Sequence, residues 1–147
     1  MLPDLTPSRS LTDFSILLVE DNGPSRQLIT GLLKAMGFGN ITVADGGEAA
    51  SVLLTESGCA PDIILCDWQM PVVDGLDLLS IVREGFADTI FIMVTATNSL
   101  EAAMLAKAHG ADGYLLKPVN KANLHKVISD TVNRVRPLHG RDVSAAG

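Results

Sequence analysis

The chain has 147 residues, of which 47% are hydrophobic and 19% charged, which is room for one domain with a real core and too apolar for a disordered chain. A formal net charge of −6 excludes a general nucleic-acid binder, which presents a basic stripe. No run approaches the ~18 apolar residues of a membrane-spanning helix, and Met1-Leu2-Pro3-Asp4-Leu5-Thr6-Pro7 lacks the basic start and apolar core of a secretory signal. A cytoplasmic protein is expected, with no direct nucleic-acid or membrane partner.

Residues 1–13 and 137–147 are polar and carry no apolar periodicity, so both read as flexible tails around a domain over 14–136. Ser15-Ile16-Leu17-Leu18-Val19 is a short apolar run of the kind buried on both faces of a sheet. Pro24 fits the first turn of a helix in which Leu28, Ile29, Leu32, Leu33 and Met36 recur at helical spacing, closed by Gly37 and Gly39. Ile41 to Ala44 is a second strand, leading through Asp45-Gly46-Gly47 into a helix carrying Ala50, Leu53 and Leu54. Asp62 to Cys66 is a third strand, ending at Asp67, and Asp74-Gly75 opens a helix with Leu76, Leu79 and Val82 on one face. Thr89 to Val94 is a fourth strand, ending at Thr95. Asn98 or Ser99 caps the next helix, which runs to His109 and stops at Gly110. Asp112 to Leu116 is a fifth strand, ending at Lys117-Pro118, before a last helix with Leu124, Val127, Ile128, Thr131 and Val135.

Strands alternating with helices imply a parallel sheet covered on both faces, because each parallel crossover needs a helix. Cys59 and Cys66 have no metal or redox spacing and read as buried or incidental thiols. His109, His125 and His139 form no ligand set. Lys117, Lys121, Lys126, Arg134, Arg136 and Arg141 gather in the last quarter, a solvated basic face that an acidic partner can meet.

Ligands of such a sheet bind at the carboxyl ends of the strands. There this chain places Glu20-Asp21, Asp67, Thr95 and Lys117, an acid cluster flanked by a hydroxyl and an ammonium. Three carboxylates in one cleft raise one another's proton affinity, and a hard divalent cation removes that penalty. An oxygen-only donor set with waters completing the shell fits Mg²⁺, with Mn²⁺ a possible substitute. A carboxylate beside such a cation can take a phosphoryl group as an acyl phosphate. The new charge of about −2 then needs partners of the Thr95 and Lys117 type. Asp45 and Asp74 read instead as turn and cap residues.

Leu17-Leu18-Val19-Glu20-Asp21-Asn22, Asp67-Trp68-Gln69-Met70-Pro71 with Asp74-Gly75, Val94-Thr95-Ala96, and Lys117-Pro118 stand in order at the strand ends. Over roughly residues 14 to 135 the chain resembles the response-regulator receiver domain of two-component signalling, in its single-domain form like the chemotaxis regulator. The resemblance implies a flavodoxin-like three-layer sandwich, a doubly wound five-stranded parallel sheet in the order 2-1-3-4-5. It implies that Asp67 is the phosphoacceptor and that Glu20, Asp21, Asp67 and the Gln69 backbone carbonyl hold the metal. Thr95, Ala96 and Lys117 would then contact the phosphoryl group, across a cis Lys117–Pro118 bond.

Thr95 and Tyr114 would form the switch pair, although Tyr114 also reads as a plain strand residue. Gln69 and Thr97 flank the site, where side chains admit or block water, and Trp68 either covers the cleft or packs on the following loop. The function implied is a phosphorylation-dependent switch, not an enzyme beyond its own phosphorylation and dephosphorylation. A histidine kinase or histidine phosphotransfer protein would supply the phosphoryl group, with helix one as its docking face. Only residues 137–147 follow the last helix, so output is expected by contact with an unknown protein target. The face around Tyr114 and the basic last helix is the one implied. Two alternatives stay open: a relay intermediate passing phosphate to a second histidine protein, and an aspartyl-phosphate phosphohydrolase. The second normally carries another acid two residues after the nucleophile, where this chain has Gln69. A flavin or dinucleotide binder is disfavoured, because Glu20-Asp21-Asn22-Gly23 repels phosphate and lacks the glycine fingerprint.

Overall fold

A computed structural model describes residues 10–58 and 60–135. The elements run β1 (Ile16–Val19), α1 (Gly23–Ala35), β2 (Ile41–Ala44), α2 (Gly47–Ser57), β3 (Ile63–Asp67), α3 (Gly75–Gly85), β4 (Ile90–Thr95), α4 (Leu100–Ala108), β5 (Gly113–Leu116) and α5 (Lys121–Val135). All strand pairs are parallel, in the order β2-β1-β3-β4-β5. The expected α/β sandwich and strand order are both present. Strand starts fall within a residue of those read from the apolar runs.

Alternation along β1 divides the core. Ile16 and Leu18 join Phe14, Ile29, Leu33, Leu124, Ile128 and Val132 on the side of α1 and α5. Leu17 and Val19 join Ala50, Leu54, Leu78, Leu79, Val82 and Ala106 on the side of α2, α3 and α4. Successive strand side chains point to opposite faces, so a strand with helices on both sides must be apolar throughout. β1, β3 and β4 are buried along their whole length.

The helical stripes are narrower than their spacing implied. Leu28, Leu53 and Val135 are exposed, because each helix turns only a limited stripe toward the sheet. Ser99, rather than Asn98, caps α4, its hydroxyl accepting from the Ala102 N–H at 3.0 Å. Gly58 ends α2 in the left-handed conformation. The expected tail over 1–13 overlaps a short 3-10 turn at Leu11–Asp13, from which Leu11 packs on the core. Residues 1–9, Cys59 and 136–147 lie outside the described residues, and with them Arg136, His139, Arg141 and the C-terminal tail. Cys66 is a buried free thiol, pushed well above the usual range by burial and then by the charge of Asp67.

Candidate functional site

The order reverses between β1 and β3, the switch point at which ligands of open α/β sheets bind. Beyond β1 the chain turns at Glu20 and Asp21. Asp67 ends β3 opposite Val94 of β4, so Thr95 is the next residue along the same edge. Lys117 follows β5, with its N–H bonded to the Thr95 carbonyl at 2.9 Å. Four strands thus deliver Glu20, Asp21, Asp67, Thr95 and Lys117 to one rim.

The geometry within the rim is specific. One carboxylate oxygen from each of Glu20, Asp21 and Asp67 lies within 4.8 Å of the others. Lys117 Nζ donates to Glu20 Oε1 at 2.8 Å and stands 3.5 Å from Asp67 Oδ1. Glu20 Oε2 accepts from the Asn22 N–H at 3.2 Å, and Asn22 Oδ1 caps α1 through the Ser25 N–H at 2.9 Å. Glu20 and Asp67 are buried while Asp21 is exposed, so the cluster opens to water on one side. An all-oxygen, solvent-facing set of this kind fits Mg²⁺, which keeps several waters and uses few protein groups.

Electrostatics report the same crowding. Burial, then the hydrogen bond and charge of Glu20, push the Asp67 carboxyl up from 3.8 to about 7, with Asp21 adding to the effect and Lys117 opposing it. For Lys117, burial acts to lower the ammonium, but the bond to Glu20 and the charges of Asp67 and Glu20 outweigh it and the net shift is upward.

Two glycines and a cap place the loop that follows Asp67. A Cβ on Gly75 would stand 2.7 Å from the Asp67 carbonyl, 2.7 Å from Met93 Sδ and 2.8 Å from Trp68 Cα. The Gly75 N–H bonds the Trp68 carbonyl at 2.8 Å. Gly47 meets the backbone of Val73 so closely that a side chain there has no room. Asp74 caps α3, accepting from the Asp77 N–H at 2.9 Å while Asp77 Oδ2 accepts from the Asp74 N–H at 3.1 Å. It is a cap residue, as read from the sequence. Asp45 is exposed in the bend before α2.

Around Thr95 a second network converges on Thr97. The Thr97 N–H donates to Thr95 Oγ1 at 3.1 Å, Gln69 Nε2 donates to Thr97 Oγ1 at 3.0 Å, and the Tyr114 hydroxyl donates to the Thr97 carbonyl at 2.9 Å. Trp68 packs edge-on against Tyr114, with ring centroids 6.4 Å apart. It is therefore a packed residue as well as a neighbour of Asp67. Thr95 is fully buried and Ala96 exposed, and the Lys117–Pro118 bond is cis. The sequence reading did not single out Arg26. Its signal was available: a cation in the first turn of a helix opposes the dipole and needs a local reason.

The response regulator receiver domain family matches residues 16–129. Chemotaxis protein CheY-3 of Vibrio cholerae is 31% identical over 125 residues, covering 84% of this chain and 95% of that protein. The crystal structure of Vibrio cholerae CheY4 aligns with a TM-score of 0.72 at 30% identity, over 84% of this chain and 98% of that one. A CheX-CheY-BeF3-Mg²⁺ complex from Borrelia burgdorferi contains a chain with a TM-score of 0.72 at 26% identity, over 77% of this chain and 84% of that chain. A match across most of the chain, falling on the fold and rim described above, makes this chain a member of the response regulator receiver domain family.

Proposed function

We propose that this receiver domain is a cytoplasmic switch that accepts a phosphoryl group on Asp67 and signals by protein–protein contact. The observation that carries the reading is the position of Asp67, with the carboxylates of Glu20 and Asp21 within 4.8 Å and the Lys117 ammonium at 3.5 Å. A carboxylate held among acids and a cation is placed for nucleophilic attack on a phosphoryl donor once the acids are neutralised.

In the reaction, an Asp67 oxygen bonds to phosphorus as the phosphorus–nitrogen bond of a donor phosphohistidine breaks. The nitrogen keeps the electron pair and takes up a proton. Glu20, Asp21, Asp67 and the Gln69 carbonyl are the groups that would hold Mg²⁺. When bound, Mg²⁺ offsets the charge of the carboxylates and of the incoming phosphoryl oxygens. Lys117 can pair with the new dianion in place of its longer contact to Asp67. Thr95 Oγ1 accepts from the Thr97 N–H, which leaves the hydroxyl proton for a phosphoryl oxygen. Because Tyr114 hangs on the Thr97 carbonyl, any movement of Thr95 reaches the aromatic pair and the surface of β5. Two charge-assisted hydrogen bonds, at roughly 1.5–3 kcal/mol each, approach the ~5.5 kcal/mol that inverts a two-state equilibrium from 1:99 to 99:1.

A histidine kinase or phosphotransfer protein is the proposed donor, and a protein target or a second histidine protein the receiver. The Borrelia burgdorferi relative is found with CheX, BeF3 and Mg²⁺, which supports a metal-dependent, contact-based output. Gln69, which turns its amide to Thr97, supplies no second acid for a phosphohydrolase. In the test, the protein is incubated with Mg²⁺ and a small acyl phosphate and its intact mass is measured. One added phosphoryl group is expected, absent in Asp67→Asn and absent with EDTA. Equal labelling of Asp67→Asn would remove the assignment.

A further inference from the structure

Arg26 stands at the end of the first turn of α1, where its charge opposes the positive end of the helix dipole. Its guanidinium folds back over the loop that leaves β1. Nη1 donates to the Glu20 carbonyl at 2.9 Å and approaches the Asp21 carbonyl at 3.5 Å. Both contacts come from the one nitrogen, and the planar guanidinium fixes the directions in which its N–H groups point.

The contact completes the restraint of Glu20. That residue is 1% exposed. Its N–H bonds the Ala44 carbonyl at 3.1 Å, its Oε1 accepts from Lys117 at 2.8 Å, and its Oε2 accepts from Asn22 at 3.2 Å. The carbonyl is the remaining polar group, and Arg26 holds it. Asp21 is different: its side chain is exposed, so the direction of its carboxylate depends on the backbone that carries it. That backbone is the stretch gripped by Arg26.

We infer that Arg26 is a positioning residue for the divalent cation, holding the 20–21 backbone in the curve that keeps the Glu20, Asp21 and Asp67 carboxylates together. The inference rests on the cation-site reading given above. Two effects of Arg26 on a cation have opposite signs, and this makes the idea testable. As a charge it repels the ion, so removing it should tighten binding. As a strut it gathers the ligands, so removing it should weaken binding. Groups that orient metal ligands change affinity by about 10–100-fold, whereas a partly exposed charge is screened by solvent and salt. The strut effect wins.

The experiment titrates MgCl₂ into the full chain, into Arg26→Ala and into Arg26→Lys. The readouts are calorimetry and the fluorescence of Trp68, the only tryptophan in the sequence and the neighbour of Asp67. All titrations run well below the unfolding midpoint measured in EDTA, so a loss of fold alone does not move the dissociation constant. Arg26→Ala is expected to bind Mg²⁺ about tenfold more weakly. Arg26→Lys, which keeps the charge but loses the planar group that fixes the direction of donation, is expected to fall between the two, and it carries the test where alanine prevents folding. An Arg26→Ala affinity equal to or tighter than that of the unaltered chain overturns the inference. So does an Arg26→Lys affinity equal to that of the unaltered chain. A failure of the unaltered chain to bind Mg²⁺ overturns the cation-site reading itself.

Discussion

Asparagine at position 67 keeps the shape of the side chain and removes its charge, and it should stabilise the cation-free protein above neutral pH. The folded Asp67 carboxyl titrates at about 7 against an ordinary value of 3.8. Between those values the folded state keeps a proton that the unfolded chain has lost. The folded state then binds more protons, so stability falls as pH rises through this window and levels off above about 7. At about 1.4 kcal/mol per pH unit the interval sets a ceiling near 4 kcal/mol for the cost of ionising Asp67 in the fold. Asparagine escapes that cost, and Lys117 keeps its shorter contact, 2.8 Å to Glu20. Urea unfolding in EDTA should show Asp67→Asn more stable by about 2–4 kcal/mol at about pH 8, with the gap closing toward about pH 4. Saturating Mg²⁺ should raise the stability of the unaltered protein more than that of the variant. A variant that is less stable at about pH 8, or two profiles that run parallel, would refute the reasoning.

Other substitutions test the surrounding frame. Arg83 ties α3 to the 110–112 loop and to the start of β4, donating to the Gly110 carbonyl at 2.8 Å, the Thr89 carbonyl at 2.7 Å and Asp112 Oδ2 at 2.7 Å. Arg83→Ala should cost about 2–3 kcal/mol in urea unfolding, and Arg83→Lys should recover less than half, since the fork is lost. Gly75→Ala drives a methyl group into the Asp67 carbonyl, and should lower stability by about 1–3 kcal/mol and slow labelling by a phosphodonor. Val72 holds a left-handed φ of 69° and is 82% exposed, a poor conformation for a β-branched side chain. Val72→Asn should therefore raise stability by up to about 1 kcal/mol in the same assay.

The parts of this molecule readable in advance are those with a period or an end. Apolar runs at 16–19 and 63–66 mark buried strands because both faces are covered, and the polar residue that stops each run then falls on the rim. Sheet order has no such signature; it came with the resemblance, and the parallel pairs carry it out. Leu28 and Leu53 look the same in sequence as Ile29 and Leu54, yet only the second of each pair faces the sheet. Arg26 and Arg83 were missed because both act on main-chain carbonyls brought near by folding, and a carbonyl has no letter in a sequence. Thr97 was recognisable as a neighbour of the site. Its role as the meeting point of Thr95, Gln69 and Tyr114 needed coordinates.

The most direct test of the central claim is to locate the phosphoryl group by its chemistry. Borohydride reduces an aspartyl phosphate to homoserine, which marks the position permanently. After incubation with Mg²⁺ and an acyl phosphate, then reduction and peptide sequencing, homoserine should appear at position 67. Homoserine at Asp21, Asp45 or Asp74 instead, or none at all, would contradict the account.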